Sequence, residues 1–157
     1  MIEQIKHYLY VFFCSMVPLI ELRGAIPIGA ALDMPWIPNF IISVLGNMLP
    51  IPFILLFIRR ILAWMKTTKH LHKIAEWLEN KASKNTAKVM KYASFGLTLF
   101  VGIPLPGTGA WTGALVAALL DMRMKYSLPS IFAGVVIAAF IMSGISYGFL
   151  GFLSFLA

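Results

Sequence analysis

Three long stretches without a charged side chain constrain the fold of this chain more than any other feature. They run from residues 36 to 57, 92 to 120 and 127 to 150, and they contain 22, 29 and 24 residues. An α-helix needs about 20 apolar residues to cross the hydrocarbon core of a bilayer. Hydrophobic residues make up 60% of the chain and charged residues 12%, whereas about a quarter of the residues of soluble domains are charged. The sequence therefore predicts an all-α integral membrane protein, with residues 1–157 forming a single membrane domain.

Residues 8–33 form a further apolar stretch, and its middle contains charged side chains and prolines together. Glu21 and Arg23 lie between Pro18 and Pro27. A charged side chain at the bilayer centre costs about 3 kcal/mol on insertion scales, so these charges need a reason to be there. Ten residues of helix rise about 15 Å, which is half of the roughly 30 Å core. We expect a re-entrant hairpin, in which two half-helices reach the midplane and return.

Residues 92–120 are interrupted in the same way, and the two interruptions resemble each other in sequence. The second contains Pro104, Pro106 and Gly107. Further matches are Val17-Pro18-Leu19 with Ile103-Pro104-Leu105, Gly24-Ala25 with Gly109-Ala110, and Asp33-Met34 with Asp121-Met122. The sequence predicts two repeats. Repeat one is 8–58, with hairpin 8–33 and span 36–57, and repeat two is 92–150, with hairpin 92–120 and span 127–150.

The orientation of the two repeats depends on whether the hairpins are re-entrant. If they are, each repeat crosses the membrane once, so the second is inverted relative to the first. Interrupted helices at corresponding positions of inverted halves indicate a binding site near the midplane. The alternative, in which both hairpins span fully and the repeats have the same orientation, stays open.

The segment 59–91 joins the two repeats and carries most of the net charge. It contains nine Lys and Arg residues against two Glu, while the whole chain has a net charge of +7. The positive-inside rule predicts a cytoplasmic loop of a multi-pass inner (plasma) membrane protein. Its helical spacing of apolar residues predicts an amphipathic helix on anionic phospholipid headgroups, or else a solvated linker helix. Because both flanks are membrane segments, we expect no nucleic acid partner.

The two predicted breaks together form a candidate anion-binding site. Helices predicted to begin after Gly24 and Gly109 would direct free N–H groups into the breaks. Arg23 suits phosphate or carboxylate, and Glu21 is the candidate for proton exchange. In the alternative, Glu21 and Arg23 form an ion pair without further function, or their side chains extend to a nearby membrane surface. Neutral donors complete the set: Thr108, Thr112 and Trp111. Asn47 either forms hydrogen bonds between helices or lines the site.

Other features of the sequence argue against a metal site, a cofactor and enzymatic activity. His70 and His72 are two residues apart and would not face each other on a helix, so we expect no metal site, and we expect no cofactor. The sequence has no pattern typical of an enzyme.

A chain of 157 residues is short for an aqueous pathway, so we expect a homo-oligomer, namely a dimer. Gly144 and Gly148 form a small-xxx-small pair, which is typical of close helix packing within a subunit or across a dimer.

At Glu21–Pro27 and Pro104–Gly113 the sequence resembles the bacterial family called putative small multidrug export proteins, and the resemblance covers essentially the full chain. That family is similar to the DedA membrane proteins, which have two facing re-entrant hairpins and are associated with proton-coupled flipping of lipid carriers such as undecaprenyl phosphate. The resemblance implies an acidic residue at the first turn, matched by Glu21, and a Pro-Gly turn in the second hairpin, matched by Pro106-Gly107. DedA proteins also carry an arginine beside the second turn, and this sequence has none there.

Three functions follow from these expectations. The first is a DedA-like transporter or flippase for an amphiphile with an anionic head, such as a lipid-carrier phosphate, coupled to protons through Glu21. The second is a small multidrug exporter of cations, in which Glu21 binds the cation and Arg23 is a structural counter-charge. The third is a channel or a non-transporting membrane scaffold.

Overall fold

The computed structural model describes residues 2–66, 86–105 and 107–156. Every regular element in these ranges is an α-helix, which confirms the predicted all-α fold. The predicted amphipathic helix of the linker, with His70 and His72, lies outside the described residues, as does Pro106. The helices are α1 (Ile2–Met16), α2 (Glu21–Ala31), α3 (Trp36–Met48), α4 (Ile51–Lys66), α5 (Thr86–Gly102), α6 (Ala110–Leu119) and α7 (Met124–Leu156).

The first hairpin consists of α1 and α2, separated by the break 17–20. Helix α1 begins at Ile2, six residues before the predicted start at Tyr8. Glu3 lies in its first turn, where a negative charge interacts favourably with the helix dipole. The Glu3 carboxylate also accepts a 2.7 Å hydrogen bond from Lys6, one turn further along. These polar residues therefore extend the helix instead of forming a flank.

Helix α2 begins at Glu21, so two of the predicted interruptions are wrong. Gly24 and Pro27 both lie inside α2 and not at a break. A proline inside a helix removes one backbone hydrogen bond, and here packing compensates, because Ile26 and Ala30 are buried. The break is therefore confined to the four residues before Glu21, and the helix does not begin after Gly24.

The helical segments outside the hairpins extend beyond the ends of the predicted spans. The predicted span 36–57 is divided into α3 and α4 at Leu49-Pro50, as expected from a proline there, but α4 continues to Lys66. The predicted span 127–150 lies within α7. Both ends of the predicted linker 59–91 therefore belong to helices α4 and α5. The sequence 58–66 contains no Gly or Pro that would end α4 sooner.

Two helical segments are long and apolar enough to cross a membrane. They are Trp36–Ile61 and Met124–Gly148, each tested over its most apolar window. Only 39% of the residues in each window are buried within the chain. Many of the remaining apolar side chains are partly or fully exposed, and a bilayer or another subunit can cover them.

Helices α2 and α6 end in the same way, which supports the sequence match between the two halves. Asp33 and Asp121 both have a positive φ, of 54° and 49°. The N–H of Met34 donates to the carbonyl of residue 29 at 3.0 Å, and the N–H of Met122 donates to the carbonyl of residue 117 at 2.9 Å. This is the Schellman arrangement of a helix C-terminus, and both methionines are buried.

A buried network of polar side chains fixes α3 against its neighbours. The Asn39 amide donates to the carbonyl of Ile26 and to the hydroxyl of Tyr147, both at 2.9 Å. The Tyr147 hydroxyl in turn donates to the carbonyl of Met34 at 2.8 Å. Gly29 makes room for the amide, since a Cβ there would lie 2.3 Å from the Asn39 Oδ1 atom. The network joins α2, α3 and α7 and so holds the first hairpin in position.

Candidate functional site: two facing helix breaks

The two breaks lie on opposite sides of one cleft of about 510 Å³. The volume is within the range of about 300–1,000 Å³ that is typical of small-molecule sites. The first break contributes Pro18, Leu19 and Ile20, and Met142 contributes from α7. Glu21, Arg23, Gly24, Pro104, Leu105, Gly107, Thr108 and Thr112 complete the lining. Residues of both breaks therefore line a single cleft.

The Glu21 carboxylate binds the N-terminus of α6. Its Oε1 atom accepts a hydrogen bond of 3.2 Å from the backbone N–H of Trp111, the second residue of that helix. The first N–H groups of a helix have no intrahelical partner and carry the positive end of the helix dipole. Glu21 is only 6% exposed, so this contact stabilises a carboxylate that is largely removed from solvent.

The backbone of Glu21 is itself unusual. Its φ of 48° lies in the left-handed region, which is uncommon for a residue other than glycine. Such conformations cluster at functional sites, where the surrounding structure enforces them. Here the conformation ends the first break, starts α2 and directs the side chain across the cleft towards α6.

Gly109 gives the carboxylate room to approach α6. A Cβ at this position would lie 2.0 Å from Glu21 Oε2 and 2.6 Å from its carboxyl carbon. Gly109 has an extended backbone with a φ of 171°, which any residue can adopt. The requirement for glycine is therefore one of space for the carboxylate and not of backbone conformation.

Arg23 binds the other end of the second break. Its Nη1 atom donates to the carbonyl of Leu105, and its Nη2 atom lies 3.2 Å from the carbonyl oxygens of both Val101 and Ile103. Nη2 also donates to the hydroxyl of Thr108 at 2.9 Å. The last carbonyls of a helix lack intrahelical partners and attract cations. Arg23 thus caps the C-terminus of α5 while Glu21 caps the N-terminus of α6.

Trp111 makes the reciprocal contact from the second half to the first. Its indole N–H donates to the carbonyl of Met16, the last residue of α1, at 3.2 Å. Three side chains therefore satisfy helix ends across the cleft. Within the described part of the chain, Glu21 and Arg23 form no salt bridge within 4.0 Å, although the two charges still interact electrostatically.

The two threonines hold the second break in shape. The Thr108 hydroxyl lies 2.9 Å from the carbonyl of Ile103 and 3.0 Å from that of Leu105. The Thr112 hydroxyl is 3.3 Å from the carbonyl of Gly109. Both hydroxyls therefore have acceptors within the chain, although both side chains line the cleft.

Asn47 lies apart from the other candidate residues. It is fully buried in α3 and does not line the cleft. Its amide nitrogen and oxygen have no hydrogen-bond partner among the described residues, so the chain provides no interhelical bond for it. Gly144 and Gly148 likewise have open space around them, since no described residue lies within 4 Å of a Cβ built at either position.

Sequence reasoning identified the charged side chains but not their partners. Glu21 and Arg23 were expected to act on a ligand, whereas in the structure they bind helix ends. The orphan N–H and carbonyl groups at a helix break could have indicated these partners, because such groups need satisfaction when they are buried. The Asn39 network also went unnoticed, although single polar residues in apolar helices commonly make such bonds.

The fold and the cleft define an α-helical membrane protein in which two broken helical hairpins face each other. The chain matches the family described as "Putative small multi-drug export protein" over residues 21–141, and it belongs to that family. Both charged residues of the cleft and the whole second break lie within the matched range. Comparison with curated proteins and with solved structures gave no match.

Proposed function

We propose that this protein is a proton-coupled transporter, or flippase, for an amphiphile with an anionic head. The observation that carries the proposal is the position of the Glu21 carboxylate on the N-terminus of α6. A helix N-terminus is a favourable site for phosphate and other anions. Glu21 occupies that site inside a cleft large enough for a headgroup, so it acts as an internal competitor for an incoming anion.

Proton coupling follows from this competition. When Glu21 gains a proton, its carboxyl group loses its negative charge and its charge-assisted bond to the Trp111 N–H. An anionic headgroup then accepts a hydrogen bond from the Trp111 N–H. Arg23, held on the C-terminus of α5, provides a positive charge nearby. The site carries one negative charge in either state. Proton and anion are bound together, and they therefore move in the same direction.

Two inverted repeats provide the framework of the proposed transporter. The matching ends of α2 and α6 and the shared order of helix, break, helix and long helical segment, which is divided into α3 and α4 in the first half, support two related units. We propose that both hairpins are re-entrant and that segment 59–91 faces the cytoplasm of the inner membrane as part of a homodimer. Single cysteines at Gln4 and Ala157 should react with an impermeant reagent from outside intact cells. Protection of either position until the cells are lysed contradicts this topology.

The second candidate function is export of lipophilic cations. The family description favours it, and so does the engagement of Arg23 by backbone carbonyls, which is the structural role that this function assigns to Arg23. In this case the cation binds the ionised Glu21 carboxylate and exchanges with a proton. The two functions make opposite predictions for a neutral side chain at position 21.

The test compares Glu21→Gln with Glu3→Gln in proteoliposomes under an imposed pH gradient. Glu3 lies on the exposed surface of α1 and serves as a matched control. For the proposed function, Glu21→Gln transports an alkyl phosphate without sensitivity to the pH gradient, while Glu3→Gln behaves as the wild type. Transport by Glu21→Gln that still follows the gradient refutes the coupling. Gradient-driven transport of a lipophilic cation that Glu21→Gln abolishes identifies the second candidate.

A further inference from the structure

A second cleft lies between α4 and α6, and nearly all of its lining is apolar. Its volume is about 960 Å³, at the upper end of the range for ligand sites. Phe53, Leu56 and Phe57 line it from α4, and Leu115 lines it from α6. We call it the α4–α6 cleft.

The described residues leave these apolar side chains largely uncovered. Phe53 is 68% exposed, Phe57 67% and Leu115 45%. An exposed apolar patch of this kind commonly marks a binding surface for a protein, a membrane or a ligand. Exposure alone does not identify the molecule that binds there. Two further features of the cleft favour one kind of molecule.

The first feature is a cation. Arg60 lines the cleft together with the apolar residues. Seven residues of helix separate it from Phe53, which corresponds to about 10 Å along α4. A hydrocarbon chain with an anionic head matches this combination, because the chain covers the apolar wall while the head pairs with Arg60. A second copy of an apolar helix would cover the apolar wall but would bring no negative charge to pair with Arg60.

The second feature is the short distance along α6 to the cleft between the breaks. Thr112 lines both clefts. Trp111, whose backbone N–H binds Glu21, also lines the α4–α6 cleft. The first turn of α6 is therefore a wall common to the polar and the apolar cleft. The two clefts are therefore adjacent along this turn of α6, with the N–H that binds Glu21 on the residue next to Thr112.

We propose that the α4–α6 cleft binds the hydrocarbon chain of the transported amphiphile and admits it from the bilayer to the cleft between the breaks. This inference rests on the proposed function and adds to it the substrate class: a long-chain anionic amphiphile that enters laterally. The headgroup pairs with Arg60 on entry and then moves along the first turn of α6 towards the site that Glu21 occupies.

The experiment uses dodecyl phosphate with a photoactivatable diazirine at the end of its chain. The full-length protein is labelled in proteoliposomes, and the modified residues are identified by mass spectrometry. Leu115→Trp fills the cleft. Leu119→Trp is the matched control, since Leu119 is on the same helix and similarly exposed, at 40%, but does not line the cleft. Unmodified dodecyl phosphate is used to measure transport.

The expected labels lie on the residues of α4 that line the cleft. Leu115→Trp should reduce both this labelling and transport about tenfold, since overpacking an apolar site costs about 1–3 kcal/mol, which corresponds to about 5- to 150-fold. Leu119→Trp should change neither. Labels spread equally over outward-facing residues of α7, such as Phe132 and Phe140, overturn the inference, and so does labelling of α4 that Leu115→Trp leaves unchanged.

Transport separates this inference from the proposed function. If Glu21→Gln uncouples transport of dodecyl phosphate but Leu115→Trp transports it at the wild-type rate, the inference fails and the proposed function stands. If the wild-type protein does not transport dodecyl phosphate, both fail. Crosslinking of two subunits through α4, abolished by Leu115→Trp, also overturns the inference, because the cleft would then be a subunit interface.

Discussion

The substitution Gly109→Ala tests the contact between Glu21 and α6 without removing any charge. The added Cβ would lie 2.0 Å from Glu21 Oε2, so the carboxylate must move away from the helix. It then loses its bond to the Trp111 N–H, which is worth about 1.5–3 kcal/mol for a charged partner. For a chain of this size we expect the melting temperature to fall by about 3–12 °C.

Gly96→Ala is the matched control for this prediction. Gly96 lies inside α5, and no atom lies within 4 Å of a Cβ built there. Replacing a glycine inside a helix by alanine stabilises by about 0.5–1 kcal/mol. Thermal unfolding of the purified protein in detergent, followed by intrinsic tryptophan fluorescence, should therefore show opposite shifts for the two variants.

A double-mutant cycle tests whether the Glu21 carboxylate causes the loss of stability in Gly109→Ala. The three nearest atoms to the added Cβ all belong to the Glu21 carboxyl group. In a Glu21→Ala background, Gly109→Ala should therefore have little effect, with a coupling of about 1.5–3 kcal/mol between the two positions. An equal loss of stability with and without Glu21 would falsify the proposed contact, and so would a Gly109→Ala protein as stable as Gly96→Ala.

Three further predictions concern other parts of the fold. Arg23→Lys should lower the free energy of unfolding by about 1.5–3 kcal/mol, because an ammonium group cannot reproduce the fork that binds several carbonyls, and thermal unfolding against wild type measures it. Gly29→Ala should displace the Asn39 amide and cost about 1–3 kcal/mol, whereas in an Asn39→Ala background it should cost much less. Gly144→Ile should weaken the proposed dimer, measured by crosslinking in membranes, because Gly144 faces open space on the subunit surface; unchanged crosslinking contradicts the role of that face.

Much of the fold is predictable because bilayer thickness and prolines act locally. The uncharged stretches correspond to helices, and Pro50 separates α3 from α4 as expected. Pro27 shows where local reasoning fails, since the sequence does not reveal whether packing compensates for one missing hydrogen bond. The start of α1 at Ile2 was missed for a related reason: polar residues outside an apolar stretch are compatible with either a helix or a flank.

The sequence identifies residues of the candidate site but not the groups that these residues bind. Proline, glycine and charge in an apolar stretch identify Glu21 and Arg23, and the sequence match identifies the second break. The sequence does not determine whether a charge in one break binds its neighbour, a ligand or the backbone of the other break. That choice depends on the distance between segments roughly eighty residues apart along the chain, as the bond from Arg23 to Val101 illustrates.

Equilibrium binding as a function of pH tests the central claim most directly. If a ligand anion replaces the Glu21 carboxylate at the N-terminus of α6, the affinity of the purified protein for dodecyl phosphate should rise as the pH falls. The Glu21→Gln protein should then bind it tightly at every pH. The opposite result, affinity for a lipophilic cation that rises with pH and disappears in Glu21→Gln, would contradict the account.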